Sequence, residues 1–172
     1  MESKAKLLGH PIHQMLIVFP LGLLSTAVIF DIIALASNNA TLFLASYWMI
    51  AAGIISGLLA AIFGAVDWLA IPSKTRAKDI GFWHGAGNVI VVALFAISWF
   101  LRRPSPHHPA ATALLLSLIA VAMALVTGWL GGELVDRLGV GVDDGAHLNS
   151  PSSLSGRPAR QDDRSGDVRR AA

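Results

Sequence analysis

Four uninterrupted apolar stretches, residues 15–36, 42–71, 80–101 and 110–132, dominate the 172-residue chain and leave it few ways to fold. They are 22, 30, 22 and 23 residues long, and a helix needs roughly 20 to cross ~30 Å of hydrocarbon. Backbone groups inside hydrocarbon must bond within the segment, so stretches of this kind become helices. A chain that is 54% hydrophobic and 14% charged also carries more apolar surface than one soluble core of this size could hide. The expected fold is all-α and polytopic: residues 1–142 form four transmembrane helices in an antiparallel bundle. From Asp143 onward the chain is Ser, Pro, Gly, Asp and Arg with hardly an apolar residue. Residues 143–172 therefore read as a disordered cytoplasmic tail.

The first span follows Lys4 and Lys6 and contains Ala34-Leu35-Ala36, which looks like a signal-peptide cleavage site. It exceeds the usual ~7–15-residue signal core, holds Pro20 and Asp31, and precedes three more spans, so it is expected to stay in the protein. Basic residues mark the cytoplasmic side. With the amino terminus inside, eleven Lys and Arg are cytoplasmic and only Arg102 and Arg103 lie outside. The expectation is a cell inner-membrane protein with both termini in the cytoplasm.

The absence of cysteine removes disulfides, thiolate metal sites and covalent c-type haem attachment together. A net charge of +2 spread over several loops makes no phosphate-binding stripe, so nucleic acid is not an expected partner and lipid is. No nucleotide-binding loop, serine elbow or catalytic carboxylate pair is present, and autonomous enzymatic activity is not expected.

Small residues recur every four positions in two spans, at Gly53, Gly57, Ala61 and Ala65 and at Ala120, Ala124, Gly128 and Gly132. Such stripes let helix backbones approach closely. Spans one and three open with histidine, while two and four close with Gly, Trp and an acid. A duplicated hairpin would give this echo, but the common placing of Trp and charges at membrane interfaces is the more economical reading.

Most of the ionisable side chains of the spans collect at one end. Gly9-His10-Pro11-Ile12-His13-Gln14 opens span one, with Pro11 suited to a first helical turn and His10 and His13 three apart. Span two ends in Asp67-Trp68, span three begins with His84 and Asn88, and span four runs out to Glu133. At ~1.5 Å per residue, His84 should lie roughly 10 Å from its span centre, Asp67 about 15 Å and His13 about 18 Å, a funnel and not a ring. An ionisable group in hydrocarbon costs ~2.5 kcal/mol or more without a partner, which makes Asp67 and His84 natural partners.

Three chemistries fit this set. Imidazole is the common nitrogen ligand, so His13 and His84 are candidate axial ligands for haem b, although unequal depth counts against that pair. Zinc, copper or nickel would take His10, His13, His84 and Asp67. Proton handling would use Asp67, His84 and Glu133. Asp67, Trp68, Asn88 and Glu133 would be the supporting polar groups of the site, and against all three chemistries stands a plain role, in which Asp67 hydrogen-bonds His84 or Trp68 only to tie helix ends together. Lys74, Arg76 and Lys78 form the loop between spans two and three and are expected to meet anionic headgroups. Asp31 is expected to snorkel to water or cap a helix, a contact with Arg102 or Arg103 being the alternative. His107 and His108, in a loop fixed by Pro104, Pro106 and Pro109, read as solvated.

Gly9-His10-Pro11-Ile12-His13, Phe19-Pro20, Asp67-Trp68, the His84 turn and the Gly-rich end of span four together resemble an uncharacterised bacterial family, domain of unknown function 2231, over roughly residues 7–142. The resemblance implies a four-helix inner-membrane protein, and the fusion of some members to redox domains favours electron transfer with a membrane redox partner. Many members carry a second proline where this chain has Gln14, which leaves the helix start less constrained. The sequence thus points to a histidine-lined site holding haem b or a transition metal. The rival is a scaffold or small transporter subunit without cofactor, either of them monomeric or a homo-oligomer.

Overall fold

The computed structural model describes residues 1–160. A two-stranded hairpin, β1 (Lys6–Leu7) and β2 (His10–Pro11), leads into a short helix α1 (Ile12–Leu16) continued by α2 (Val18–Ser37). Three long helices follow, α3 (Ala40–Ala70), α4 (Arg76–Arg102) and α5 (Ala111–Gly132), the last widening into a π turn over Glu133–Arg137. The four expected spans are all present, each helix long and apolar enough to cross a membrane and each longer than the apolar core read from sequence.

Local chemistry sets the boundaries. The α2–α3 turn is two asparagines. Asn38 takes the left-handed conformation (φ 52°) that caps α2, and the Asn39 side chain accepts from Thr41 N to start α3. Ile71 is extended because Pro72 follows, which stops α3. Thr75 then accepts from Lys78 N to cap α4. In the β1–β2 turn Leu8 and Gly9 both have positive φ (51° and 84°), as a two-residue turn requires. That turn corrects one expectation: His10 lies in β2 and is exposed, so it does not share a helix with His13.

α2 packs chiefly on α3 and α4 on α5, giving two helical hairpins that close into a square through α3–α4 and α2–α5, with α2 and α4 on the diagonal. The core is Leu24, Ala27, Val28, Ile50, Val91, Phe95 and Ala120. Small residues let backbones approach: a Cβ on Gly53 would lie 2.6 Å from Leu24 Cδ2. The outer helix faces present Ile, Leu, Val and Phe freely, as lipid-facing surfaces do. Trp68, Phe82, Trp83 and Trp129 ring one end and Trp48, Trp99 and Phe100 the other, the aromatic belts of a bilayer-spanning bundle.

Both ends of the described chain meet at the same end of the bundle. The amino-terminal ammonium donates to Gly139 O at 3.0 Å, Gly141 N to Met1 O at 2.9 Å, and Lys6 bridges Glu2 and Asp143. Residues 143–160 contain one regular element, a single 3₁₀ turn at Ser153–Ser155. The rest of the expected tail, 161–172, lies outside the described residues. The Lys6 hydrogen bond holds the Glu2 carboxyl below its ordinary 4.5, and the bond to Asp143 holds Lys6 above 10.5. The Glu2 contribution is complete above pH 4.5 and lost as pH falls through its lowered value. The Lys6 contribution is complete below pH 10.5 and lost as pH rises through its raised one. Amide exchange at Gly141 should accordingly be flat across neutral pH, once corrected for intrinsic rate, and loosen below about pH 4.5 and again above about pH 10.5.

Candidate functional site

His13, in the first turn of α1, and His84, two turns into α4, meet across the bundle diagonal. Their ring centroids are 6.4 Å apart and the planes are nearly perpendicular, at 89°. This corrects the expected difference in depth. Counting along each helix put the two at different levels, but the β-hairpin sets where α1 begins, and the spans are longer than their apolar cores and unequal in length.

Each ring is fixed in the same way. His13 Nδ1 lies 2.8 Å from Ala60 O on α3, and His84 Nδ1 lies 2.8 Å from Thr127 O on α5. A carbonyl can only accept, so both imidazoles must carry their proton on Nδ1 when neutral, which leaves Nε2 with the lone pair. Each ring also rests on a glycine one turn beyond that carbonyl. A Cβ on Gly64 would stand 2.8 Å from His13 Cε1, and one on Gly131 would stand 3.0 Å from His84 Cε1. Asn88 secures the second histidine: its amide donates to His84 O at 2.8 Å, and its carbonyl oxygen accepts from Thr127 Oγ1 at 3.0 Å. Gly87 makes room for Thr127, whose Cγ2 would be 2.5 Å from a Cβ there.

The other candidates are engaged elsewhere. Asp67 is not the partner of His84. Its carboxylate accepts from Ser3 Oγ at 2.8 Å, Lys4 N at 2.7 Å and Ala5 N at 3.3 Å, pinning the amino-terminal segment to the end of α3. Trp68 Nε1 donates to Lys78 O, while Lys78 Nζ donates to Trp68 O and sits 4.0 Å from the Trp68 ring centroid. Arg76 pairs with Glu133 at 2.6 Å, tying the α3–α4 loop to the end of α5. Of the three loop cations, Lys74 alone is exposed without such an engagement among the described residues. His10 Nε2 lies 3.4 Å from Ser153 Oγ, away from the other two histidines. Among the described residues no three His, Asp or Glu side chains come together as an ion cage. The four-ligand set His10, His13, His84 and Asp67 is therefore not assembled, and neither is a relay from Asp67 through His84 to Glu133.

At the opposite end lies a buried polar cluster that corrects the first expectation for Asp31: it neither snorkels to water nor caps a helix but takes the alternative contact, with Arg102. Arg102 is fully buried, with its guanidinium bidentate on Asp31 at 2.8 and 2.7 Å. It also donates to Ser46 Oγ, Ser98 Oγ and Ser117 Oγ, so all four helices contribute. Arg102 had been counted as an external loop charge. The available signal was Ser98, one turn before Arg102, together with Asp31, Ser46 and Ser117 at matching depth in the other three spans.

Four apolar helices in lipid, joined inside by polar contacts at either end, define a multi-pass membrane protein. A family model described as "Predicted membrane protein (DUF2231)" matches residues 9–144, and the chain belongs to that family. No curated protein and no solved structure is detectably similar to it.

Proposed function

We propose that the chain is an inner-membrane electron-transfer protein in which His13 and His84 would hold haem b, passing electrons to or from a membrane redox partner. The observation that carries this reading is the pair itself: two imidazoles from diagonal helices, each locked by an Nδ1–H···O=C bond that orients the ring and makes Nε2 a stronger donor. Both rings have Nδ1 committed to a carbonyl, so each would offer Nε2 to a bound haem iron. Two protein ligands fit haem better than a bare ion, because the porphyrin supplies four nitrogens whereas zinc sites take at least three from protein. Bound haem would supply a one-electron couple, tuned by what surrounds the two imidazoles. The excess of basic residues at the His13 end supports a cytoplasmic position for that end and for both termini.

A scaffold reading is favoured by a different observation: Asp67, Trp68, Asn88 and Glu133 are all consumed in ties between elements. The two separate in one preparation. Protein expressed in haem-replete cells and purified in mild detergent should show a Soret band and a dithionite-sharpened α band, at about one haem per chain. No Soret band together with no stoichiometric metal would reject the cofactor reading in favour of the scaffold.

A further inference from the structure

The two hairpins match at a set of buried positions. All four buried residues of α5, Ala113, Ser117, Ala120 and Thr127, lie 67 positions after buried residues of α3, Ser46, Ile50, Gly53 and Ala60 (46 to 113, 60 to 127). Along the first helices the shift is 71, taking buried Leu24 to Phe95, Ala27 to Ser98 and Asp31 to Arg102. The same two shifts carry the histidine lock of one hairpin onto the other. His13 becomes His84, the accepting carbonyl of Ala60 becomes that of Thr127, and Gly64 under the first ring becomes Gly131 under the second. Interfacial placing of Trp and charges does not require a matching set of buried positions, carbonyls and glycines.

α2 and α4 run in one direction and α3 and α5 in the other, so matched hairpins are related by an axis along the bundle, parallel to the membrane normal. Equivalent residues can touch one another only at such an axis. Two equivalent pairs do: His13 with His84 at one end, and Asp31 with Arg102 at the other. The outer pair is complementary and fills its position with the protein's own charges. The inner pair is two like imidazoles, each with Nδ1 committed to a carbonyl; Asn88 Nδ2, 3.4 Å from His84 Nε2, has no counterpart at Ile17.

We infer that the chain is a duplicated helical hairpin and that each copy supplies one equivalent half of the histidine site, so that the site takes a ligand with two like coordinating faces. The inference rests on the haem reading for the identity of that ligand. It adds that neither histidine is dominant.

The test compares His13→Ala with His84→Ala in the full chain, each purified with haem as in the wild type. Wild-type protein should be six-coordinate and low-spin. Each variant should become five-coordinate and high-spin, with the two spectra superimposable and haem occupancies within about twofold of each other, and added imidazole should restore the low-spin form in both. If the alanine chains fail to accumulate, His→Gln versions, whose amide can still reach the carbonyl, take their place under the same expectation. A variant that keeps the wild-type spectrum while its counterpart loses haem would overturn the equivalence and leave haem binding standing. No Soret band in wild-type protein would overturn both.

Discussion

Replacing Asp31 by Leu or Arg102 by Met, one at a time, is expected to destabilise the bundle more than any other single change, by about 3–5 kcal/mol each. The guanidinium is fully buried and Asp31 is 4% exposed, so Asp31→Leu leaves a buried cation with serine hydroxyls as its partners, and Arg102→Met leaves a buried carboxylate stripped of its guanidinium donor. The double replacement D31L/R102M should recover most of the loss, because apolar groups of similar volume substitute for a buried pair at little net cost. Thermal unfolding in detergent, followed by tryptophan fluorescence or by retained monodispersity, measures all three variants. Singles as stable as wild type would mean that the pair contributes nothing, and a double no better than either single would mean that the site has another need for its charges.

Gly64→Ala should have the second-largest effect and should act on the histidine site. The new methyl would stand 2.8–2.9 Å from His13 Cε1 and Nδ1, and the ring cannot retreat without giving up the Ala60 carbonyl. Overpacking of this kind costs about 1–3 kcal/mol, and here it also turns the imidazole out of line. The expected result is a lower unfolding midpoint and, under the haem reading, loss of the low-spin spectrum. Gly85→Ala provides the contrast. No heavy atom lies within 4 Å of a Cβ at that position, so replacing a mid-helix glycine there should raise stability by up to about 1 kcal/mol. If both substitutions moved stability the same way, the close approach at Gly64 would not be what holds His13.

Much of the site was legible as a list of residues but not as a set of partners. His13, His84 and Asn88 were picked out by type and by nearness to one membrane border, and they are the residues brought together. Asp67 looked like the carboxylate to pair with His84 because both fall near the same border. The competitor was the amino-terminal segment, whose Ser3 hydroxyl and backbone amides reach Asp67 first. No periodicity announces a contact made by irregular backbone. Arg102 was misplaced for a related reason: hydropathy marks where an apolar run stops, whereas α4 continues through Arg102 and turns it inward onto Asp31.

Sequence alone settled the number of helices, their approximate limits and their antiparallel order, because hydrocarbon admits only helices here and span length is fixed by bilayer thickness. The tertiary structure decided which polar groups face one another: His13 on His84, Asp31 on Arg102, Asp67 on the amino-terminal segment. Every span is apolar all round, so a hydrophobic pattern names no inward face. Helix rotation is set by small residues that admit a neighbour and by polar groups that must find partners, and both are properties of the assembled pair, not of either strand of text.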